Sequence, residues 1–372
     1  MSHPFTFETS EPLTLGIEEE LFLLPAEREL TGMVPRADEV LNGDFQTIAV
    51  PGGWLKPELL RSTVELATAT ASGLPQLDVD LHALRDELVA RADAVGLRVA
   101  TMGMHPLHKV TESSITPTSS HRATAELFDR VGTLRDQVTH GIHVHVGMPN
   151  LRDAVLAMDA IAAQVPLIIA LTANSPIVCG ERAPWMSARA ELLRAMQWGG
   201  PPPRFDSAQE YESVHALHQL ESGGEQRFLW EVAPVPALGT IELRSADANA
   251  DPAVALGIAA LVQAIAARSL DGLTPARAHA SLERHNRWSA TEFGPRARFL
   301  VPGRDAPVDA AELARDLIAQ LRPWAQALGT EPWFEVFERL LLEPPAQAAI
   351  EAYEAGGVAA VLDAATLEPV RA

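Results

Sequence analysis

The run LTLGIEEELFLL, Leu13–Leu24, decides the architecture. Its apolar positions Leu15, Ile17, Leu21 and Leu23 flank three consecutive carboxylates. Side chains two apart along a strand share a face. The run therefore predicts a strand with Glu18 and Glu20 side by side, about 7 Å apart by the ordinary strand rise. Glu19 then points the other way, as a structural or solvated acid. Two carboxylates on one face repel unless a cation lies between or beside them, and hard divalent cations such as Mg²⁺ take oxygen ligands of this kind. A solvated strand edge bearing three acids would give the same pattern, and for this stretch alone that plainer reading stands slightly ahead.

Moving outward, Ser62–Thr70 alternates apolar and small polar residues around Glu65, and Pro51-Gly52-Gly53 marks a turn before it. Leu97–Gly103 is a further strand. Gly141–Met148 alternates strictly, with His143 and His145 on one face and Ile142, Val144 and Val146 on the other. Phe228–Val232 and Thr240–Ala246 pair across a turn at Pro234–Gly239. In the second of these, Glu242 and Arg244 share one face and Ile241 and Leu243 the opposite one. Helical periodicity covers Leu77–Val95, and Thr118-Ser119-Ser120 caps a helix running to about Gln137. Leu151–Ala163, Pro166–Ala173, Gln209–Leu220 and nearly everything after Pro252 are also helical. Gly199–Pro203 and Phe293–Pro307 are loops. The strands fall in the first two-thirds and the helices between them are irregularly spaced. That argues for an α+β architecture, an antiparallel sheet backed by helices, rather than regular βαβ winding. No repeat, no GxxxxGK[ST] and no GxGxxG after a strand is found, so any nucleotide binds without a P-loop.

The chain has 372 residues, enough for one large domain or two ordinary ones, and 47% hydrophobic with 21% charged residues is a globular composition. A formal charge of -20 argues against a nucleic-acid partner, because phosphate backbones need basic patches. Lysine occurs only at 56 and 109. The single cysteine, Cys179, excludes an intramolecular disulfide and is expected as a buried core thiol. Met1–Pro12 is polar and acidic, unlike a signal peptide. The nearest apolar run, Val165–Ala173, is too short to span a membrane. The expectation is a cytoplasmic protein with no membrane partner.

Each candidate segment also has a bland reading. His143 and His145 are metal ligands or phosphate partners, or two imidazoles satisfied by water. Glu242 beside Arg244 is a common same-face ion pair, and Glu65 alone says little. Together, however, these strands put carboxylate, imidazole and guanidinium on their non-core faces. If they are neighbours in one sheet, that face binds cations and polyphosphate together. A zinc hydrolase built on His143, His145 and a carboxylate is a rival reading, disfavoured by the excess of glutamate.

At these residues the chain resembles the type-2 glutamate–cysteine ligase family, the carboxylate–amine ligases, which are related to glutamine synthetase. The resemblance spans about Leu13–Leu270. It rests on Gly-Ile-Glu-Glu-Glu at 16–20, Glu65 in Glu-x-Ala-Thr, Gly103-Met104-His105-Pro106, the His-Val-His-Val-Gly strand, Asn174-Ser175-Pro176, Ser187-Ala188-Arg189 and Ile-Glu-Leu-Arg at 241–244. It implies a curved antiparallel half-funnel over residues 1–270, with 271–372 as a helical extension packed on the same domain. It further implies ATP and Mg²⁺, with Mn²⁺ as the alternative, and an acid and an amine joined through an acyl phosphate into a γ-glutamyl-cysteine-like amide with release of ADP and phosphate. Glu18, His143 and Glu242 match ligands of the metal on the ATP phosphates. Glu20 and Glu65 match ligands of a second metal nearer the substrate, where Glu65 also ranks with Arg244 as catalytic. His145, Arg189 and Arg122 match nucleotide, phosphate or carboxylate contacts. Two departures stand out: Ala233 replaces the arginine of Trp-Asp-x-Arg-Pro, and Arg182-Ala183-Pro184 replaces Asp-Thr-Gly. They imply another acid or amine, or an altered member that acts as a phosphotransferase or only binds metal and nucleotide. The apolar face of the helical tail suggests a homodimer.

Overall fold

The computed structural model describes residues 5–107, 114–130, 132, 138–196, 199–222, 229–274 and 277–368. Its centre is an eight-stranded antiparallel sheet. The strands are β1 (Leu15–Pro25), β2 (Ile48–Val50), β3 (Gly53–Pro57), β4 (Thr63–Thr68), β5 (Leu97–Ala100), β6 (Gly141–Gly147), β7 (Val232–Val235) and β8 (Thr240–Asp247). Their spatial order is β7-β8-β6-β1-β4-β3-β2, with β5 pairing the far end of β1 at Phe22–Pro25.

Alternation gives the sheet two unlike faces. Leu15, Ile17, Ile142, Val144, Val146, Ile241 and Leu243 point back into one core and are fully buried. The helices Leu74–Ala94, Leu151–Ala162 and Pro252–Leu270 cover that side. Glu19 also points back, and burial of its charge is offset by Arg85, whose Nε and Nη2 each donate to it at 2.7 Å. The same guanidinium donates to the carbonyls of Asn249 and Ala250, so the buried pair is well satisfied. The front face carries Glu18 and Glu20. From Phe22 onward it turns apolar, because Phe22 and Leu24 pack with Met102, Met104, Val361 and Leu362. The functional face therefore ends at Glu20.

The elements beyond Leu270 share the main core: Phe299 of a short strand and Leu317, Leu321 and Phe337 of helices join the cluster that contains Ile17 and Val144. Residues 365–367 run beside β5, with Thr101 N donating to Ala365 O and Leu367 N to Val99 O.

Several expectations need correction. Pro252–Leu270 is long and apolar enough by length and composition to cross a bilayer, so Val165–Ala173 is not the apolar run nearest to membrane-spanning length. The fold uses it as a central helix with 89% of it buried, and its scattered Gln263 and Arg268 broke up the apolar run in sequence. Cys179 is exposed, not a core thiol, because it sits with φ 54° in the turn between the paired strands Ile177–Val178 and Glu181–Arg182. Gly199–Gly200 is not simply loop but pairs with Leu229–Trp230, and a separate strand, β7, pairs with β8. Pro51-Gly52-Gly53 does turn the chain, between β2 and β3. At Gly53 a Cβ would lie 2.1 Å from the Ala67 carbonyl oxygen, so no other residue fits. The helix after Thr118 runs Ser119–Arg130, and its expected continuation, apart from Gly132, lies outside the described residues.

Candidate active site

Pairing register assembles the front face. Glu18 lies opposite His143 on β6, Glu20 opposite Glu65 on β4, Glu65 opposite Lys56 on β3, and Glu242 opposite His145. Directly opposed residues of antiparallel strands point to the same side at close range. Five strands thus place seven charged or imidazole positions in one band.

The geometry is tight around Glu18 and Glu242. Glu18 Oε2 is 3.6 Å from both His143 Nδ1 and His145 Nε2. Glu242 Oε1 is 3.5 Å from His143 Nδ1 and 4.0 Å from His145 Nε2. Donor atoms of Glu18, His145 and Glu242 all lie within 4.8 Å of one another, as ligands of one small cation would. His145 Nδ1 is 3.0 Å from Thr240 Oγ1. With Nδ1–H donating there, Nε2 presents a lone pair, and this buried nitrogen has no hydrogen-bond partner among the described residues. A metal-bound histidine is commonly held this way through its other nitrogen. The donor set therefore fits a divalent cation, and it draws in His145 as fully as His143.

A second group of acids lies beside the first. Glu20 Oε2 accepts from Gly141 N at 2.6 Å. Glu65, and Glu58 just after β3, face the same cavity of about 350 Å³, which also exposes Glu18, His143 and Arg244. Burial pushes the Glu58 carboxyl well up, and the charges of Glu20 and Glu65 push it further. Burial and Glu18 raise Glu65 to about 7, although Lys56 works against them. Carboxyls raised by burial and by one another's charge are stabilised as anions by an added positive charge. Glu242 behaves oppositely: burial would raise it, but Arg244 and the two imidazoles hold it at about 2. Glu18 likewise stays far below the usual carboxylate range, because the imidazoles of His143 and His145, each 3.6 Å away, and the charge of Lys56 overcome its burial. Burial opposes charging His143, but Glu18, Glu20 and Glu242 raise it overall.

Arg244 owes its place to a β-bulge. Leu243 opposes Val144 and Ala246 opposes Ile142, so Arg244 and Ser245 together face His143. The bulge keeps the guanidinium over Glu242, with Nη2 2.5 Å from Oε2. Arg189 supports it: buried on the helix Ala188–Ala195, it donates to Arg244 O and Ala246 O at 3.0 Å each. The sequence reading placed Arg189 on a nucleotide or carboxylate. It borders the cavity, but Nη1 and Nη2 are committed to backbone and its Nε is buried. Arg122 is exposed on the helix Ser119–Arg130 and outside the cavity lining, whereas His121 and Thr124 of that helix reach it.

Asp247 explains three of the sequence motifs. It accepts from Asn174 N, Ser175 Oγ and Ser187 Oγ at 2.8 to 3.0 Å and lies 3.8 Å from Arg189. A Cβ at Gly103 would strike its carboxylate. These residues brace the bulge and do not face the cavity as a set. Sequence reasoning missed Asp247, Lys56 and Glu58. The alternation Lys56-Pro57-Glu58 was the available signal for the last two, hidden by the shortness of β3.

An antiparallel sheet with this band of carboxylates and imidazoles on one face is a fold shared with known carbon–nitrogen ligases. The model of glutamate–cysteine ligase family 2 matches residues 14–361. The chain belongs to that family. It is 36% identical over 335 residues to the Rubrobacter xylanophilus protein named "Putative glutamate--cysteine ligase 2-3", covering 88% of this chain and 89% of the other. It is 30% identical to the glutamate–cysteine ligase of Haloquadratum walsbyi, over 80% of this chain and 83% of that one. The fold is shared with the Francisella tularensis glutamate–cysteine ligase solved with AMP, at TM-score 0.67, 13% identity, and coverage of 96% and 89%. The bifunctional glutathione synthetase of Pasteurella multocida also matches at TM-score 0.67 and 15% identity, over 94% of this chain and 51% of that one.

Proposed function

We propose that this protein is an ATP-dependent carboxylate–amine ligase acting on small molecules in the cytoplasm. The observation that carries the reading is the convergence of Glu18, His145 and Glu242 on one cation position, beside Glu20, Glu58 and Glu65 and under Arg244. Family membership and the AMP held by a structural relative support it.

Glu18, Glu242 and the two imidazoles would hold one Mg²⁺, and Glu20, Glu58 and Glu65 a second. When bound, such ions neutralise phosphoryl oxygens and orient them for in-line transfer. An oxygen of the acid attacks the γ-phosphorus, the bond to the β–γ bridging oxygen breaks, and ADP leaves. The amine nitrogen then attacks the acyl carbon, the bond to the phosphate oxygen breaks, and inorganic phosphate leaves with loss of one amine proton. Arg244 stands where negative charge grows during the first transfer. Its pairing with Glu242, and Arg189 behind it, fix it before substrate arrives, which is how preorganised charge lowers a barrier. No enzyme nucleophile is needed, because positioning supplies much of the gain. We place substrate choice at positions such as Ala233, which opposes Glu242 in the pairing of β7 with β8 but is buried and outside the cavity lining, so that its effect would pass through its neighbours. Arg182, Ala183 and Pro184 lie outside the cavity lining, so their effect on specificity would be indirect.

The test is a panel of acid–amine pairs incubated with Mg-ATP and scored by mass. The expected product is an amide in equal amount to ADP and phosphate. ADP accompanied by a phosphorylated acceptor and no amide, across the panel, would refute the ligase reading.

A further inference from the structure

Lys56 has no part in the chemistry described above, yet it occupies the middle of it. Leu55 beside it is fully buried in the back core, so alternation turns Lys56 to the front. Its Nζ lies 3.0 Å from Glu18 Oε1 and 2.8 Å from Glu65 Oε1. These two acids belong to different groups. Glu18 turns its other oxygen, Oε2, to the imidazoles, away from the lysine. The donor atoms of Glu18, His145 and Glu242 can therefore take a cation while Lys56 stays in place. The second group cannot do so as easily. Glu65 shares Oε1 with the ammonium, and a doubly charged ion between Glu20, Glu58 and Glu65 would face that ammonium at short range. Like charges at such distances repel strongly in a partly buried site.

We propose that Lys56 is a built-in counter-cation set between the two metal positions. It neutralises Glu18 and Glu65 in the metal-free protein and yields Glu65 when the second ion arrives. The two positions therefore fill in order, the Glu18–His145–Glu242 position first. This rests on the ligase reading, in which divalent cations occupy both groups. Lys56 acts here as a positioning residue, and its effect is on cation affinity and on stability without metal.

The test is Mn²⁺ titration of the metal-free full-length protein, by calorimetry and by the free-Mn²⁺ electron paramagnetic resonance signal, for wild type, Lys56→Met and Lys56→Arg. Wild type should bind two ions with affinities about tenfold or more apart, the scale of an ordinary coupling between sites. Lys56→Met should tighten the weaker site by about that factor and leave the tighter one nearly unchanged. It should also melt several degrees lower than wild type without metal and regain most of the difference at saturating Mn²⁺. Lys56→Arg should keep the order of filling. An unchanged or weaker second site in Lys56→Met would overturn the proposal. Absence of any Mn²⁺ binding by wild type would instead overturn the ligase reading on which it stands.

Should Lys56→Met not fold, wild type still decides the matter. Lysine occurs only at 56 and 109. Reductive ¹³C-methylation therefore gives two lysine signals, assigned with Lys109→Arg. The Lys56 signal should move with the second equivalent of Mg²⁺, and a signal unmoved through both equivalents would contradict the proposal.

Discussion

Glu19 and its neighbours Glu18 and Glu20 are the same residue type on one strand, and the fold treats them in opposite ways. Glu19 faces back and is neutralised inside the protein by a two-pronged arginine. Glu18 and Glu20 face front, where one lysine, one arginine and two imidazoles are shared among the five carboxylates Glu18, Glu20, Glu58, Glu65 and Glu242, and Glu58 and Glu65 are left short of positive charge. The difference shows that a carboxylate in a strand becomes functional when its counter-charge is left incomplete. A paired acid stabilises the fold. An underpaired one stores an affinity for cations at some expense of stability.

The comparison breaks most visibly under alanine. Glu18→Ala or Glu242→Ala should lower turnover by at least about a thousandfold while the protein stays folded. Circular dichroism with ADP release would show both halves, and wild-type-like turnover in either variant would refute the site. Glu19→Ala should do the reverse. It strands Arg85 in the core and should cost about 3–5 kcal/mol in chemical denaturation, with activity lost only as the fold is lost.

Arg244→Ala should lower kcat by about 100-fold or more with little change in nucleotide affinity, because its charge is used in the transition state. Equal losses in affinity and kcat would assign it to ground-state binding instead. A smaller effect separates the two groups of front-face acids by pH. Glu65 is raised from its ordinary 4.5 to about 7 by burial and by Glu18. Between those values the folded protein holds a proton that the unfolded chain has released, so its stability falls as pH rises through that window. Metal-free Glu65→Gln should lose this slope, worth about 2–3 kcal/mol across the window. An identical pH dependence in wild type and variant would remove Glu65 from the underpaired group. Arg122→Ala should be the quietest change, within about 0.5 kcal/mol in stability and without effect on kinetics. A marked loss of nucleotide affinity there would bring the helix Ser119–Arg130 into the site.

The front face was legible because strict alternation leaves little choice. Once Ile142, Val144 and Val146 are assigned to a core, His143 and His145 must share the other side, and the same holds for Glu18 with Glu20 and Glu242 with Arg244. The pairing of β1 with β4 and β6 was not legible, since register between distant strands leaves no mark in spacing. The family resemblance implied only that these residues converge on the inner face of one antiparallel sheet. Lys56 and Glu58 escaped because β3 is five residues long and ends in proline, too short for periodicity to speak. Arg189 was read as a ligand contact because sequence shows a guanidinium but not the carbonyls that the bulge in β8 turns toward it.

The central claim is that the front of this sheet holds cations, and anomalous diffraction from crystals soaked in Mn²⁺ tests it most directly. The account expects a peak bounded by Glu18 Oε2, His145 Nε2 and Glu242 Oε1, and a second, weaker one among Glu20, Glu58 and Glu65. Crystals that take up Mn²⁺ elsewhere but show no density at the first position would contradict it.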